Sequence, residues 1–333
     1  MLCFSALTAE SEKLICTSTT SDSETTGSEK PSPPSIPIIC CVNGSISTVP
    51  FNTHHTYQSL TSPGNVSGYE TRDIVRISKD KTKRDSDFIV EEGALSIKAN
   101  SMKHGSHNLG VTMRTSGDDE NLVIGLLYSE GIIQNLDDIE SLNSHGNSID
   151  VSLNDSSSFD PLIHCRASTV TSACGICGRS TIDDILHMHV PELGDGCNIS
   201  IELISRCLET MRSKQALFSK TGGSHACASF NQHGEIGMIF EDVGRHNAMD
   251  KLVGHHLKLG NLPMTNMISI VSGRASFELV QKSIRAGFPI MAAIGAPSTM
   301  AIDLAREYGK TLVCFAKTKS ATIYSGFRRI STI

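Results

Sequence analysis

The stretch "MISIVSGRASFELVQKSIRAGFPIMAAIGAPSTMAIDLAREYGKTLVCFA", residues 267–316, decides the fold. Its apolar runs "MISIV", "PIMAAI" and "TLVCFA" are separated by two helical patterns, "SFELVQKSIRAG" and "TMAIDLAREYG". Buried apolar strands that alternate with helices are typical of a mainly parallel sheet with both faces covered. The stretch therefore predicts an α/β fold, and "ATIYS" at residues 321–325 predicts one further strand.

The carboxyl ends of these strands are the expected binding edge. They carry the segments "SGRAS", "GAPST" and "AKTKS". In open α/β sheets, ligands collect beyond the carboxyl ends of the strands, where helix N-termini present free N–H groups. We therefore expect the three segments to lie side by side and to contact a phosphorylated ligand, with Ser272, Gly273 and Arg274 among the contacts.

A smaller α+β domain is predicted upstream, at residues 88–165. "ALSIKAN", "NLGVTMRT" and "IDVSL" have strand patterns, and "GDDENLVIGLLYSEGII" has a helical one. The acids Asp118, Asp119 and Glu120 fit two interpretations, a stabilised helix start or a cluster of catalytic carboxylates. Residues 166–333 are assigned to the second domain.

The N-terminal part of the chain has the composition of a disordered extension. Residues 17–28 are almost all Ser, Thr, Asp, Glu and Gly, and "PSPPSIP" follows. Such a segment cannot bury a core. We predict a polar extension over residues 1–87 with one short strand near Ile38–Val42.

Overall composition excludes several classes of partner. The 29 Lys and Arg against 35 Asp and Glu give a net charge of -6, which gives no reason to expect nucleic acid or anionic lipid as a partner. No apolar run approaches the roughly 20 residues that a membrane helix needs. The 11 cysteines are scattered and no secretory signal is evident, so reduced thiols and a cytoplasmic location are expected.

The segment "TSACGICGRST", residues 171–181, carries the most specific chemical signal. Only Gly175 and Ile176 separate Cys174 from Cys177, and a helix start is predicted just beyond the pair. That position lowers the pKa of a thiol and increases the thiolate fraction, the form that attacks or accepts sulfur. The pair therefore favours redox or sulfur chemistry.

Two alternatives to sulfur chemistry stay open for this pair, a structural zinc site and plain packing. A zinc site needs further ligands, and the candidates are isolated: Cys165, His187, His189, Cys197 and Cys207. A nucleobase deaminase is disfavoured, because the H-x-E motif at His233 to Glu235 follows the cysteines instead of preceding them. No permanent metal is expected.

With "TSACGICGRSTID", two further motifs establish a family resemblance. They are "TGGSHACASF" at residues 221–230 and "EDVGRHNAMDKLVG" at residues 241–254. Together the three closely resemble the FdhD family of sulfurtransferases, accessory proteins of formate dehydrogenase, over about residues 88–326. The resemblance implies a cytidine deaminase-like α/β fold and a homodimer.

The resemblance also implies a sulfur relay. A cysteine desulfurase passes sulfane sulfur to the pair, and the protein transfers it to the molybdenum of the Mo-bis(molybdopterin guanine dinucleotide) cofactor, its bound substrate, before formate dehydrogenase receives that cofactor. Cys174 matches the cysteine that carries the persulfide, and Cys177 matches its partner. The matching cofactor segment consists of Phe315, Ala316, Lys317, Thr318, Lys319 and Ser320.

The segments "GRHN" and "SGR" also place cationic side chains among glycines. For Arg245, His246 and Arg274 we favour a pyrophosphate or guanine contact over surface arginines beside turn glycines. His225 is either a satisfied core histidine or a site residue. A rival to sulfur transfer is a non-catalytic module that binds and delivers the cofactor.

Overall fold

The computed structural model describes residues 38–42, 45–49, 67–79, 81–165, 190–318 and 320–331 of the 333-residue chain. The chain forms two units. The antiparallel pair β1 and β2 belongs to the first unit, and all other described residues belong to the second. β1 lies where a short strand was predicted. In chain order the elements are β1 (Ile38–Val42), β2 (Ser45–Val49), β3 (Tyr69–Ser78), β4 (Lys81–Val90), β5 (Gly93–Ser101), β6 (Gly105–Arg114), α1 (Asp119–Ser129), β7 (Ile139–His145), β8 (Ser148–Leu153), α2 (Pro161–His164), β9 (Ile199–Ser200), α3 (Ile201–Lys214), α4 (Ala216–Thr221), β10 (His225–Asn231), β11 (Ile236–Asp242), α5 (Arg245–Lys258), β12 (Met267–Val271), α6 (Phe277–Arg285), β13 (Ile290–Ala293), α7 (Thr299–Glu307), β14 (Thr311–Lys317), β15 (Ser320–Ser325) and β16 (Ile330–Ser331), with short 3-10 turns at Leu136–Asp138 and Phe327–Arg329.

The four predicted strands of residues 267–325 lie in one six-stranded sheet with β10 and β11, in the order β11-β10-β12-β13-β14-β15. Only β12, β13 and β14 are parallel, and the three outer strands pair antiparallel. The prediction of a mainly parallel sheet is thus wrong for the outer strands. The connections from β10 to β11 and from β14 to β15 are too short for a parallel crossover, so the chain reverses direction there.

Both faces of this sheet are buried, as predicted. Ile268 and Ile270 of β12 pack in one core cluster with Leu203 and Ile204 of α3. Val271, on the opposite face, packs in the other cluster with residues of α5, α6 and α7. The mixed α/β architecture expected from the alternating pattern is therefore present.

Serines set the starts of three helices that pack on the sheet. The hydroxyls of Ser200, Ser276 and Ser298 accept hydrogen bonds from backbone N–H groups in the first turns of α3, α6 and α7. Such N-caps satisfy donors that a helix start otherwise leaves free. Among the described helices, none has the length and apolar composition to cross a membrane.

A second sheet, in the order β6-β5-β8-β7, joins the larger one through helix α1. Leu95 and Ile149 of this sheet lie in the same core cluster as Leu127 of α1 and Leu252 of α5. α1 and α5 cross closely at glycines, since a Cβ on Gly125 would lie 2.6 Å from the carbonyl carbon of Asp250. The predicted boundary at residue 165 therefore does not separate two cores.

The strands β3 and β4 lie largely within the predicted extension of residues 1–87, so the predicted boundary at residue 87 is too late in the chain. They pair over their whole length, from Tyr69 opposite Val90 to Ser78 opposite Lys81. At the base of the hairpin, the Tyr69 and Phe88 rings lie 5.4 Å apart and the Lys220 ammonium lies over the Tyr69 ring. Most of the hairpin is exposed on both faces, so its sequence lacks the apolar alternation that reveals a strand. The remainder of the predicted extension, apart from β1 and β2, lies outside the described residues.

Two of the three acids at the start of α1, Asp119 and Glu120, form ion pairs. The Asp119 carboxylate accepts hydrogen bonds from the buried Arg114 guanidinium, with distances of 2.9 Å from both Nε and Nη2. Glu120 lies 3.0 Å from Lys258 of α5. These contacts support the interpretation of a stabilised helix start over that of a catalytic carboxylate cluster.

Candidate functional site

The carboxyl ends of β12, β13 and β14 lie side by side, as the sequence predicted. The Gly295 N–H donates to the Gly273 carbonyl at 2.9 Å, and the Phe315 N–H donates to the Gly295 carbonyl at 3.2 Å. A Cβ on Gly295 would lie 2.9 Å from Arg274 Cα, so only glycine permits this approach of the two strand ends. One edge thus carries "SGRAS", "GAPST" and "AKTKS".

Phe315 has an unusual backbone at this edge. Its φ is 50°, in the left-handed region that bulky residues rarely adopt, and the pairing of β14 with β15 is irregular just beyond Cys314. The ring is 43% exposed, and the nearby Ile294 and Met300 are also exposed. The sequence did not identify these two aliphatic side chains as site candidates.

The cations predicted for this edge are exposed. Arg274 and Lys317 form no ion pair within the described part of the chain, and Thr318 and Ser320 are also exposed. Ala316 is buried, and the Ser272 hydroxyl accepts a hydrogen bond from the Ala226 N–H, so these two predicted residues have structural roles. Lys319 lies outside the described residues.

Helix α5 begins at the same edge with Arg245. The residue before it, Gly244, has no side chain to cap the helix. The Arg245 Nε is buried and has no hydrogen-bond partner, and no described residue forms an ion pair with the guanidinium. A cation without a protein partner at the edge of a sheet is typical of a ligand contact.

The His225 imidazole lies beside Arg245. A Cβ on Gly273 would lie 3.5 Å from His225 Nδ1 and 3.6 Å from Arg245 Cδ, so both side chains border the same glycine. Burial lowers the pKa of His225, the nearby Arg245 and His246 lower it further, and Asp242 acts in the opposite direction. His225, which the sequence left undecided, is therefore brought to the site.

His246, the next residue of α5, turns toward α6. Its Nε2 lies 2.8 Å from the Glu278 carboxylate and 3.2 Å from the Ser276 hydroxyl. Glu278 is almost fully buried, so the contact fixes the orientation of the imidazole ring. The sequence could not identify Glu278, because it lies 32 residues from His246 (278 minus 246).

Further along α5, the charged groups are all paired. The Asp242 carboxylate lies 2.8 Å from Lys251 Nζ and accepts hydrogen bonds from the Thr115 and Gly244 N–H groups. Asp250 lies 2.7 Å from Lys282 Nζ. Burial lowers the pKa of Lys282, but Asp250 and Glu130 outweigh this effect and raise it above the ordinary value.

Several predicted features lie outside the described residues. They include both members of the C-x-x-C pair, Cys174 and Cys177, and the helix predicted after them. Within the described ranges, His, Cys, Asp and Glu side chains nowhere form a group of three that could hold a metal ion. The described part of the candidate site is therefore the edge formed by the strand ends. This strand-end site combines exposed cationic side chains, a buried nitrogen atom of Arg245 without a partner, and exposed apolar side chains. Such a site can bind a planar group that carries phosphate.

The chain is similar to proteins that are named sulfur carriers. Residues 90–331 match the FdhD/NarQ family. The sulfur carrier protein FdhD of Saccharolobus solfataricus is 40% identical over 260 residues, which cover 78% of this chain and 96% of that protein. The protein of the same name from Thermoplasma acidophilum is 42% identical over 252 residues, covering 74% and 87% of the two chains.

A solved structure shares the fold. It belongs to a protein from Desulfotalea psychrophila assigned as a formate dehydrogenase accessory protein. The TM-score is 0.64 at 23% sequence identity, and the superposition covers 79% of this chain and 99% of the other. The match over residues 90–331 and the extent of identity to the curated relatives show that this chain belongs to the FdhD/NarQ family.

Proposed function

We propose that this protein is a sulfurtransferase required for formate dehydrogenase activity. The observation that carries the proposal is its similarity to sulfur carrier proteins along nearly their whole length, with both cysteines of the C-x-x-C pair present. The solved relative, assigned as a formate dehydrogenase accessory protein, supports formate dehydrogenase as the recipient. A cysteine desulfurase is the proposed sulfur donor.

The proposed chemistry has two steps. First, the Cys174 thiolate attacks the terminal sulfur of the desulfurase persulfide, which leaves Cys174 as a persulfide and the desulfurase cysteine as a thiolate. Next, the Cys177 thiolate attacks the inner sulfur of that persulfide. A Cys174–Cys177 disulfide forms, and the terminal sulfur, reduced by two electrons, leaves as hydrosulfide and becomes a ligand of the molybdenum. A cellular thiol then reduces the disulfide.

The proposed substrate of the second step is Mo-bis(molybdopterin guanine dinucleotide), held at the strand-end site. Arg274 and Lys317 carry free charge suited to its phosphates, and Phe315 offers an exposed ring beside them. The unpartnered Arg245 Nε is a further donor for an anion. These features support a ligand that is both anionic and heterocyclic.

The remaining assignments follow from the family. We propose a homodimer that acts in the cytoplasm, with a cytidine deaminase-like layering of sheet and helices. The buried faces of the six-stranded sheet are compatible with that layering. Sedimentation equilibrium of the purified chain tests the dimer.

Mass spectrometry after incubation with a cysteine desulfurase and cysteine tests the relay. The wild type is expected to gain the mass of one sulfur atom, and Cys174→Ser is expected to gain none because a hydroxyl cannot hold sulfane sulfur. Cys177→Ser should keep the persulfide and release it poorly. Equal persulfide loading of both single variants would contradict the assigned roles.

The same variants separate transfer from delivery alone. A module that only binds and delivers the cofactor would support full formate dehydrogenase activity with Cys174→Ser. A relay predicts that this variant supports none while its fold, followed by circular dichroism, is unchanged. Full activity would therefore replace sulfur transfer with the delivery function.

Calorimetric titration with GDP, a mimic of half the cofactor, tests the binding edge. A direct charge-assisted contact contributes about 1.5 to 3 kcal/mol, so Arg274→Ala or Lys317→Ala should weaken GDP binding by about ten- to a hundredfold. Lys214→Ala, at the end of α3, is the matched surface control. Unchanged GDP affinity in both site variants would mean that the cofactor binds elsewhere.

A further inference from the structure

The strongest unassigned feature is the group of nitrogen atoms around Gly273. Neither ring nitrogen of the half-buried His225 is hydrogen-bonded to a described residue. The adjacent Arg245 Nε is buried and has no partner. Leaving a buried donor unsatisfied costs about 1 to 3 kcal/mol, so the Arg245 Nε, which lies beside a half-buried histidine without a described partner, requires an explanation.

A nearby negative charge does not explain why these nitrogen atoms lack partners. The groups that influence His225 electrostatically are Arg245 and His246 of α5 and Asp242 of β11. Asp242 lies 2.8 Å from Lys251 and accepts three further hydrogen bonds, from the Thr115 and Gly244 N–H groups and the Asn247 amide. The Asp242 carboxylate is thus engaged by other groups, and Arg245 leaves the described neighbourhood of Gly273 with an excess of positive charge.

Gly273 brings the two side chains close to each other. Gly273 has no side chain, and even a Cβ there would contact His225 and Arg245 at ordinary distances of 3.5 to 3.6 Å. The neighbouring Arg274 is exposed. An anion that lies over Gly273 would therefore reach both nitrogen groups from the binding edge.

We propose that His225 and Arg245 form a half-buried anion subsite beside Gly273, which takes a phosphate group of the guanine nucleotide, and that His225 takes up a proton as the phosphate binds. The subsite deepens the proposed function and rests on it. It adds His225 to the residues that contact the ligand, and it is separate from the exposed cations Arg274 and Lys317. The proton comes from solvent and stays on the imidazole, so no covalent bond changes.

The direction of the pH dependence follows from the surroundings of His225. In the free protein, burial and the nearby Arg245 and His246 lower the pKa of His225, which favours the neutral imidazole. A bound phosphate supplies negative charge at the ring and raises its pKa. Binding is therefore linked to proton uptake, and affinity should increase as the pH falls from 8 to 6.

Calorimetry in two buffers with different ionisation enthalpies measures this uptake directly. We expect GDP and inorganic pyrophosphate to bind the wild type with uptake of a fraction of a proton at pH 7, and to compete with each other. Guanosine, which has no phosphate, should bind without proton uptake. His225→Asn, which can donate a hydrogen bond but cannot hold the proton, should lose the uptake. Its GDP affinity should fall by about tenfold at pH 6 and much less at pH 8.

Arg245→Gln provides a second, independent variant. It should weaken GDP and pyrophosphate binding by about tenfold at every pH, because the guanidinium stays charged throughout. Thermal melting of both variants checks the fold, and His225→Gln replaces His225→Asn if the latter melts early. A purely structural role of His225 would change the melting temperature and leave the proton uptake intact.

Three results would overturn the subsite. They are uptake that persists in both His225 variants, GDP binding without any uptake in the wild type, and pyrophosphate that binds without displacing GDP. If Arg274→Ala and Lys317→Ala weaken GDP binding while the His225 and Arg245 variants do not, the subsite is wrong and the proposed binding edge stands. If the wild type binds neither GDP nor pyrophosphate, the proposed binding edge fails as well.

Discussion

Helix α5 carries charged side chains into two different surroundings. Lys251 and Asp250, in its second turn, each lie within 2.8 Å of an oppositely charged group and are buried. Arg245, at its first residue, has a buried nitrogen without a partner. The same helix therefore combines a region in which the protein satisfies every charge with a region in which it does not.

The difference separates structural from functional charge. A buried ion pair that is fully hydrogen-bonded keeps the elements around it in register, and removal of one partner leaves an uncompensated charge. An unsatisfied group has no such role in folding, so it can be kept for a ligand. Changes at the paired end should therefore reduce stability, and changes at the unpaired end should reduce binding.

The largest expected effect is at the crossing of α1 and α5. Gly125→Ala would place a Cβ 2.6 Å from the carbonyl carbon of Asp250, and Gly254→Ala would place one 2.7 Å from Gly125 N. The helices would have to separate, with a loss of unfolding free energy on the order of 5 kcal/mol. Urea denaturation measures it, with Gly196→Ala, whose Cβ would have only an ordinary contact at 3.6 Å, as the control. A loss below about 1 kcal/mol would show that the crossing is not tight.

The next largest loss of unfolding free energy is expected where buried charges are paired. Lys251→Met leaves the Asp242 carboxylate buried without its cation, and we expect a loss of about 3 to 5 kcal/mol. Lys258→Met, which breaks only the exposed pair with Glu120, should cost less than about 1 kcal/mol. Equal losses in the two variants would remove the distinction between the paired core and the helix surface.

A pH dependence is expected at His256, in the last turn of α5. Burial, together with the adjacent His255, lowers the pKa of His256 to about 4. Because the unfolded chain binds this proton near pH 6.5 and the folded chain does not, stability should fall between pH 6.5 and 4, by up to about 3 kcal/mol. Urea midpoints across this range should show a smaller slope for His256→Gln and an unchanged slope for the exposed His233→Gln. An unaltered slope in the first variant would assign the pH dependence to other groups.

The smallest effect on stability is expected at the unpaired end. Arg245→Gln removes a guanidinium that no described residue pairs with, so the unfolding free energy should fall by no more than about 0.5 kcal/mol. Urea denaturation measures it beside Lys251→Met. A loss of several kcal/mol would mean that Arg245 belongs to the structural group, and the contrast along α5 would disappear.

The sequence predicted those elements that bury apolar side chains with a clear period. The strands at residues 267–325, the helices between them, α1 and the strands β5, β6 and β8 were all identified in this way. The hairpin of β3 and β4 was missed because backbone pairing, not burial, defines most of it. The strand β10 was not predicted, and an apolar run such as "ACASF" indicates burial but not the antiparallel direction that β10 takes beside β12.

The juxtaposition of the three strand ends was predictable. The rule that ligands bind beyond the carboxyl ends of parallel strands selected Arg274 and Lys317, whose contact with a ligand stays a prediction. His225 and Glu278 could not be assigned, since each depends on a contact between residues distant in sequence. For Cys174 and Cys177 the sulfur role stays a prediction, because they lie outside the described residues.

The backbone conformation of Phe315 lowers the stability of the fold, whereas its exposed side chain is available for binding. A phenylalanine with a φ of 50° stores about 1 to 3 kcal/mol of conformational energy, and the rest of the fold must supply it. Glycine at this position would avoid that cost and would also remove the exposed ring. Selection for thermal stability alone should therefore drive a population of this protein toward glycine or asparagine at residue 315, whereas selection for ligand affinity should restore the aromatic side chain.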